Sequence, residues 1–189
     1  GDGGTVGVLL QVLPDAVRDL SKARDGGAPA DLFTTNLLDV VNDPAVDIVV
    51  ELIGGTDAAY DLVEAALKAG KPVVTGNKAL LAERGGPLFA LSKEHNAPIH
   101  FEAAVAGGIP IIKVLRESLV ANEFPLIYGI LNGTSNYILT RMESEGASFD
   151  DILSDARELG YVEADESLDL DGVDAAHKAV ILAYLAHGM

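Results

Sequence analysis

The run Val46-Asp47-Ile48-Val49-Val50-Glu51-Leu52-Ile53-Gly54-Gly55 sets the class of this chain. An almost unbroken apolar stretch closed by paired glycines reads as a parallel β-strand covered on both faces. The segment Ala58 to Lys68 follows with helical spacing (Leu62, Ala65, Ala66) and stops at Gly70. Pro72 to Thr75 is the next strand and ends at Gly76-Asn77-Lys78. Helices over Ala79–Glu83 and Leu88–Glu94 and a strand over Ile99–Glu102 continue the alternation, and a short helix over Leu37–Val41 precedes it. Strands alternating with helices at this spacing predict an α/β fold built on a doubly wound parallel sheet. Ligands of such sheets bind beyond the carboxyl ends of the strands. Gly54-Gly55 and Gly76-Asn77-Lys78 both stand there.

Upstream, Gly1 to Gly7 reads Gly-Asp-Gly-Gly-Thr-Val-Gly before the apolar Val8-Leu9-Leu10. A dinucleotide fingerprint needs G-x-G-x-x-G between a strand and a helix. Gly4 and Gly7 supply its second and third glycines; Asp2 stands in place of the first, and no strand precedes it. A flexible glycine-rich terminus fits equally well. A first βαβ unit takes about thirty residues, whereas Arg18 follows Gly7 closely and Pro14 interrupts any helix between them. The expectation is that the first strand, and parts of the first helix and second strand, are missing from the sequence.

Downstream of Glu102 the pattern changes. Ala106-Gly107-Gly108-Ile109-Pro110 turns into a helix over Ile111–Val120, and Leu126–Leu131 reads as a strand ending at Asn132-Gly133. Thr134 or Ser135 can cap a helix running to about Glu145, and Ser148 one over Phe149–Leu159 that stops at Gly160. Val173–His187 is the last helix, apolar nearly all round and so expected to be buried. The boundary falls near residues 103–108, giving units 1–105 and 106–189.

From the loop after Gly160 into the first turns of the last helix, Glu163, Asp165, Glu166, Asp169, Asp171 and Asp174 precede one lysine, Lys178. Acids this dense repel and need a cation, hydrogen-bond donors or solvent. Ser167, Asp169, Asp171 and Gly172 imitate an EF-hand, but Lys178 stands where the bidentate glutamate belongs, which excludes calcium. A solvated loop capping a helix is one reading. The other is a site that binds a substrate ammonium with a lysine in reach. Asp174 and Lys178 sit four apart, the spacing of a surface pair worth about 0.2–0.5 kcal/mol. Lys178 nevertheless shares its face with Ile181, Leu182 and Leu185, which suits a general acid held at the mouth of a buried helix. Lys78, at a strand end, is either a solvated helix start or a cation facing a phosphate or carbonyl.

Composition narrows the classes. A net charge of −16 and a pI near 4.4 argue against nucleic acid and anionic membranes as partners. With no long apolar run and no signal peptide, the chain reads as a soluble, cytoplasmic protein. The absence of cysteine removes disulfides, thiolate zinc sites and thioester chemistry. The four histidines show no ligand spacing, and neither a Walker A motif nor G-x-S-x-G occurs.

The sequence resembles the homoserine dehydrogenase family from Asp31 onward. The residues that carry this are Asp47 to Gly55; Gly70-Lys71-Pro72-Val73-Val74-Thr75-Gly76-Asn77-Lys78-Ala79; Glu102 to Ile111; and Gly129-Ile130-Leu131-Asn132-Gly133-Thr134-Ser135-Asn136. The resemblance implies a Rossmann-like parallel sheet followed by part of an α/β catalytic and dimerisation domain. It implies hydride transfer between NAD(P)H and aspartate 4-semialdehyde, giving L-homoserine in threonine and methionine biosynthesis. Lys178 would donate the proton, Glu163 and Asp174 would hold substrate, Asp169 would support that pocket, and Lys78 would stand between nicotinamide and substrate. Gly4, Thr5, Val6, Gly7, Arg18, Lys78 and Gly160 would meet the cofactor, with Arg18 and Lys22 favouring NADP over NAD. Glu102, Val105, Gly107 and Ile109 would hold a monovalent cation, sodium or potassium, and the protein would be a homodimer. Two alternatives remain at this point: a sugar or inositol dehydrogenase, although Ala79 replaces the usual proline after the lysine, and a non-catalytic nucleotide-binding fragment.

Overall fold

The computed structural model describes residues 15–17, 33–162 and 167–188. β1 (Asp15–Ala16) pairs in parallel with β2 (Phe33–Thr34), and Val17 adds an N–H to the Thr34 carbonyl at 2.8 Å. β3 (Val49–Glu51), β4 (Val73–Thr75) and β5 (Ile99–His100) form a second parallel sheet in that order. Its register sets Val49 opposite Val73 and Val73 opposite Ile99. Helices make each crossover, as parallel pairing requires: α2 (Asp57–Lys68) and α3 (Lys78–Glu94) alternate with these strands, and α1 (Leu37–Asn42) precedes them.

The sheet packs on α2 because Ala59, Leu62, Val63, Ala66 and Leu67 repeat at helical spacing and are all buried. Each large side chain buried there contributes roughly 1.5–3 kcal/mol. Val49, Glu51, Val73, Thr75 and Ile99 point into this core. Their alternates Val50 and Val74 remain 59% and 38% exposed, so the described residues cover one face of the sheet where two are expected.

Two helices are predicted over 79–94. One runs through instead, with a kink at Arg84 (φ −134°, ψ 16°). Pro87 explains it, since proline offers no N–H to the Glu83 carbonyl and its ring crowds that group. Gly85 lies under Phe89: a Cβ there would stand 3.0 Å from the ring. Phe89 in turn stacks on Tyr184 with centroids 4.7 Å apart. This joins α3 to the last helix, α8 (Val173–His187). Ile181 and Leu182 of α8 share one core with Val49, Val73 and Leu80, but Val180 is 50% exposed, so α8 is buried on one side only.

After β5 a short 3₁₀ turn, Glu102–Ala104, leads to α4 (Ile111–Lys113), which widens into a π turn over Val114–Ser118. Residues 126–131 form no strand. A strand needs neighbours for its N–H and C=O groups, and among the described residues none pairs with it; Tyr128 is 88% exposed. α5 (Gly133–Glu145) and α6 (Phe149–Glu158) then close a small core of Ile138, Ile152 and Leu153. Arg141 ties these two helices, reaching Glu145 and Asp155 each at 2.7 Å. Ser148 caps α6 as expected, and α7 (Ser167–Leu170) leads to α8. Among the described residues no helix is long and apolar enough to cross a membrane.

Candidate active site

The site gathers where the second sheet ends. Glu51, fully buried at the end of β3, accepts from Thr75 Oγ1 at 2.6 Å and from the Ile53 N–H at 2.8 Å. Thr75 Oγ1 accepts the Asn77 N–H at 3.0 Å, and Asn77 Nδ2 donates to the Gly55 carbonyl at 2.7 Å. Asn77 Oδ1 also caps α3 through the Leu80 N–H. This strut fixes both strand-end loops and makes Lys78 the first residue of α3.

From there Lys78 Nζ reaches Asp174 Oδ1 at 2.8 Å, and Lys178 Nζ reaches Asp174 Oδ2 at 2.7 Å. Lys178 also donates to the Leu131 carbonyl at 2.7 Å. Asp174 is only 6% exposed, so this is not the solvated pair that four-residue spacing most often marks. One buried carboxylate holds two ammonium groups, each from a different helix. Burial pushes the Asp174 carboxyl up, but hydrogen bonds from Lys178, Lys78 and Asn132 outweigh it and bring its pKa from 3.8 down to about 2.

That depression makes a stability prediction. The contribution is complete above the unfolded-state value near 4 and is lost as pH falls through about 2. Its size is about 2 kcal/mol. Urea melts of the full-length protein across that window should show the loss, and an Asp174→Asn variant should not show it.

Two residues in this cluster escape sequence reasoning. Asn132, not Thr134 or Ser135, caps α5, because its Oδ1 accepts the Ser135 N–H at 2.7 Å. Its Nδ2 donates to Asp169 Oδ1 at 2.8 Å and to Asp174 Oδ2 at 3.0 Å. An asparagine before Gly133-Thr134-Ser135 carries a capping signal, whereas its carboxylate partners lie far along the chain. Leu131 contributes only a carbonyl, which leaves no mark in a sequence. Thr134 Oγ1 donates to the Tyr161 carbonyl at 2.8 Å, and Ser135 Oγ to the Asp169 carbonyl at 3.1 Å.

Lys78, Lys178, Asp169 and Asp174 therefore converge. Gly160 follows the C-cap of α6, and the carbonyl of its neighbour Tyr161 accepts from Thr134. Glu163, Gly4, Thr5, Val6, Gly7, Arg18 and Lys22 lie outside the described residues. Glu102, Val105, Gly107 and Ile109 lie on the turn between β5 and α4 and share no hydrogen bond or ion pair with the cluster among the contacts described above. There the Glu102 carboxylate caps α4, accepting from the N–H groups of Ile112 at 3.0 Å and Lys113 at 2.9 Å. The Ile109 carbonyl accepts from the Ile111 N–H at 2.7 Å. Among the described residues no three His, Asp or Glu side chains converge as a metal cluster, which leaves a site made of backbone carbonyls untouched.

Parallel strands joined by helices, with a carboxylate–lysine cluster beyond their ends, place the chain among the Rossmann-type α/β folds. Residues 5–102 match the family model "Homoserine dehydrogenase, NAD binding domain", and residues 110–189 match "Homoserine dehydrogenase". The chain belongs to the homoserine dehydrogenase family. It is 49% identical to a homoserine dehydrogenase of Synechocystis sp. and 47% identical to one of Pseudomonas aeruginosa, in each case over 95% of this chain and 41% of the relative. The crystal structure of a homoserine dehydrogenase from Thiobacillus denitrificans superposes with a TM-score of 0.83 at 52% identity, covering 92% of this chain and 40% of that one. A hyperthermophilic archaeal homoserine dehydrogenase in complex with NADPH gives 0.75 at 39% identity, covering 82% and 48%. The chain thus spans about two fifths of the length of the curated relatives it matches. Both family matches favour this family over the sugar and inositol dehydrogenases.

Proposed function

We propose that the full-length protein interconverts L-aspartate 4-semialdehyde and L-homoserine with a nicotinamide cofactor. The observation that carries this reading is the buried Asp174, which holds Lys78 and Lys178 together beyond the ends of parallel strands. When bound, the nicotinamide supplies or accepts the hydride. A hydride added to the aldehyde carbon moves the carbonyl electron pair onto oxygen. Lys178 stabilises that charge and gives the oxygen a proton from Nζ, and solvent restores the lysine. No covalent intermediate is needed, in keeping with a chain that has no cysteine.

The residues present suit a dinucleotide. Side chains built at Gly54 and Gly55 would meet open space, so the end of β3 is free for close approach. Gly4, Thr5, Val6, Gly7, Arg18, Lys78 and Gly160 are the proposed cofactor contacts, with NADP preferred through Arg18. Glu163 and Asp174 hold substrate, with Asp169 in support. Glu102, Val105, Gly107 and Ile109 hold a monovalent cation through their backbone oxygens. Residues 1–105 form the cofactor unit and 106–189 belong to the substrate unit of a cytoplasmic homodimer. The test is oxidation of NADPH by purified full-length protein. Consumption that depends on added semialdehyde is expected; none would sink the assignment.

A further inference from the structure

Asn132 occupies an unusual electrostatic position. Its amide donates to carboxylates of two different helices, Asp169 at 2.8 Å and Asp174 at 3.0 Å, and its oxygen accepts the Ser135 N–H at 2.7 Å. An amide nitrogen carries two hydrogens, and here each faces one acid. The opposite amide orientation would set an oxygen against both carboxylates and a donor against an N–H. The side chain is also nearly buried, at 9% exposure, which limits the freedom of water to replace it.

Asp174 Oδ2 receives both Asn132 Nδ2 and Lys178 Nζ. The residue before Asn132 supplies the carbonyl that accepts the other hydrogen bond from the same lysine nitrogen. Residues 131 and 132 therefore determine the Lys178 ammonium twice, once directly and once through its counter-charge. As the cap of α5, Asn132 is held at the start of a thirteen-residue helix.

We infer that Asn132 is a positioning residue: it separates two like charges with a neutral donor and so aims the Asp174–Lys178 pair at the reacting oxygen. This rests on the functional reading above and adds a role to it. The groups facing the amide are Asp169 from α7, Asp174 and Lys178 from α8, and, through Asp174, Lys78 from α3.

Asn132→Asp and Asn132→Ser in the full-length protein test it. Asparagine, aspartate and serine cap helices about equally well, so the α5 cap survives in either variant; Asn132→Asp, which buries a like charge, should melt at a lower temperature at neutral pH yet remain folded under assay conditions. Asn132→Asp sets a third carboxylate against two others. It should lower kcat by about 10- to 100-fold, with KM changing less. Like charges raise the pKa of the introduced acid, so lowering the pH should restore its donor hydrogen. The ratio of Asn132→Asp to wild-type kcat should therefore rise toward the acid side. Asn132→Ser should lose less activity and show no such recovery. An Asn132→Asp kcat within about two-fold of wild type overturns the role. So does a loss that melting curves show to be loss of folded protein, or one with the same ratio at every pH. Wild-type protein without semialdehyde-dependent turnover would overturn the parent reading instead, so the two failures are distinguishable.

Discussion

Replacing Lys178 with methionine in the full-length protein is expected to lower kcat for semialdehyde reduction by about 10²–10⁴-fold, the range typical of a lost general acid. Methionine keeps much of the apolar stem and removes the ammonium, so the effect reports on the charge and its proton. Asp174 would retain Lys78 at 2.8 Å and Asn132 at 3.0 Å, and the buried carboxylate would not be orphaned. Stability should therefore fall by much less than breaking an isolated buried pair would cost. The Leu131 carbonyl loses its partner, which is worth about 1–3 kcal/mol at most where no water replaces it. KM for semialdehyde should change far less than kcat, because the proton is needed only as charge grows on oxygen. Steady-state kinetics monitored by NADPH absorbance decide the matter. Turnover within a few-fold of wild type would rule out Lys178 as the proton donor.

The second large effect belongs to Asp174→Asn. The change preserves shape, but the amide has one acceptor where the carboxylate has two, so only one lysine keeps an oxygen. The ammonium groups of Lys78 and Lys178 then stand near each other with no shared counter-charge. Breaking a buried pair costs about 3–5 kcal/mol. Here the lysine side chains are 40% and 20% exposed, and solvent recovers part of that, leaving about 2–3 kcal/mol. Activity should fall by about 10²-fold or more, since both lysines lose their aim. Urea melts at neutral pH and kcat/KM measured on the same preparation check the two halves of this expectation. A variant with wild-type stability would show that the two lysines do not depend on the carboxylate for their place in the fold.

Much of this was legible in the residues. The parallel sheet follows from the apolar run at 46–53 and the glycines after it, because burial and strand ends both leave local marks. Lys178 stood out by sharing a helical face with Ile181 and Leu182, both of which are buried. Lys78 was identifiable from its place after a strand end. The rest depends on contacts between distant parts of the chain. Residues 126–131 carry strand propensity, yet a strand exists only where another backbone meets it. The pattern over 79–94 reads as two helices, and the structure bends one instead. Asn132 advertises a cap and conceals its second task, because its carboxylate partners on α7 and α8 come together with it only on folding.

The Lys78–Asp174–Lys178 bridge has a consequence for how such a chain is made. Lys78 belongs to a segment whose strands and helices can assemble early, as neighbours in sequence leave the ribosome. Its counter-charge arrives with α8, in the last stretch of these 189 residues. Until then the lysine lacks that carboxylate. The bridge is thus completed only when α8 reaches the strands and helices made before it. A nascent chain halted before α8 would hold the parallel strands and Lys78 without Asp174 or Lys178, both of which that helix carries.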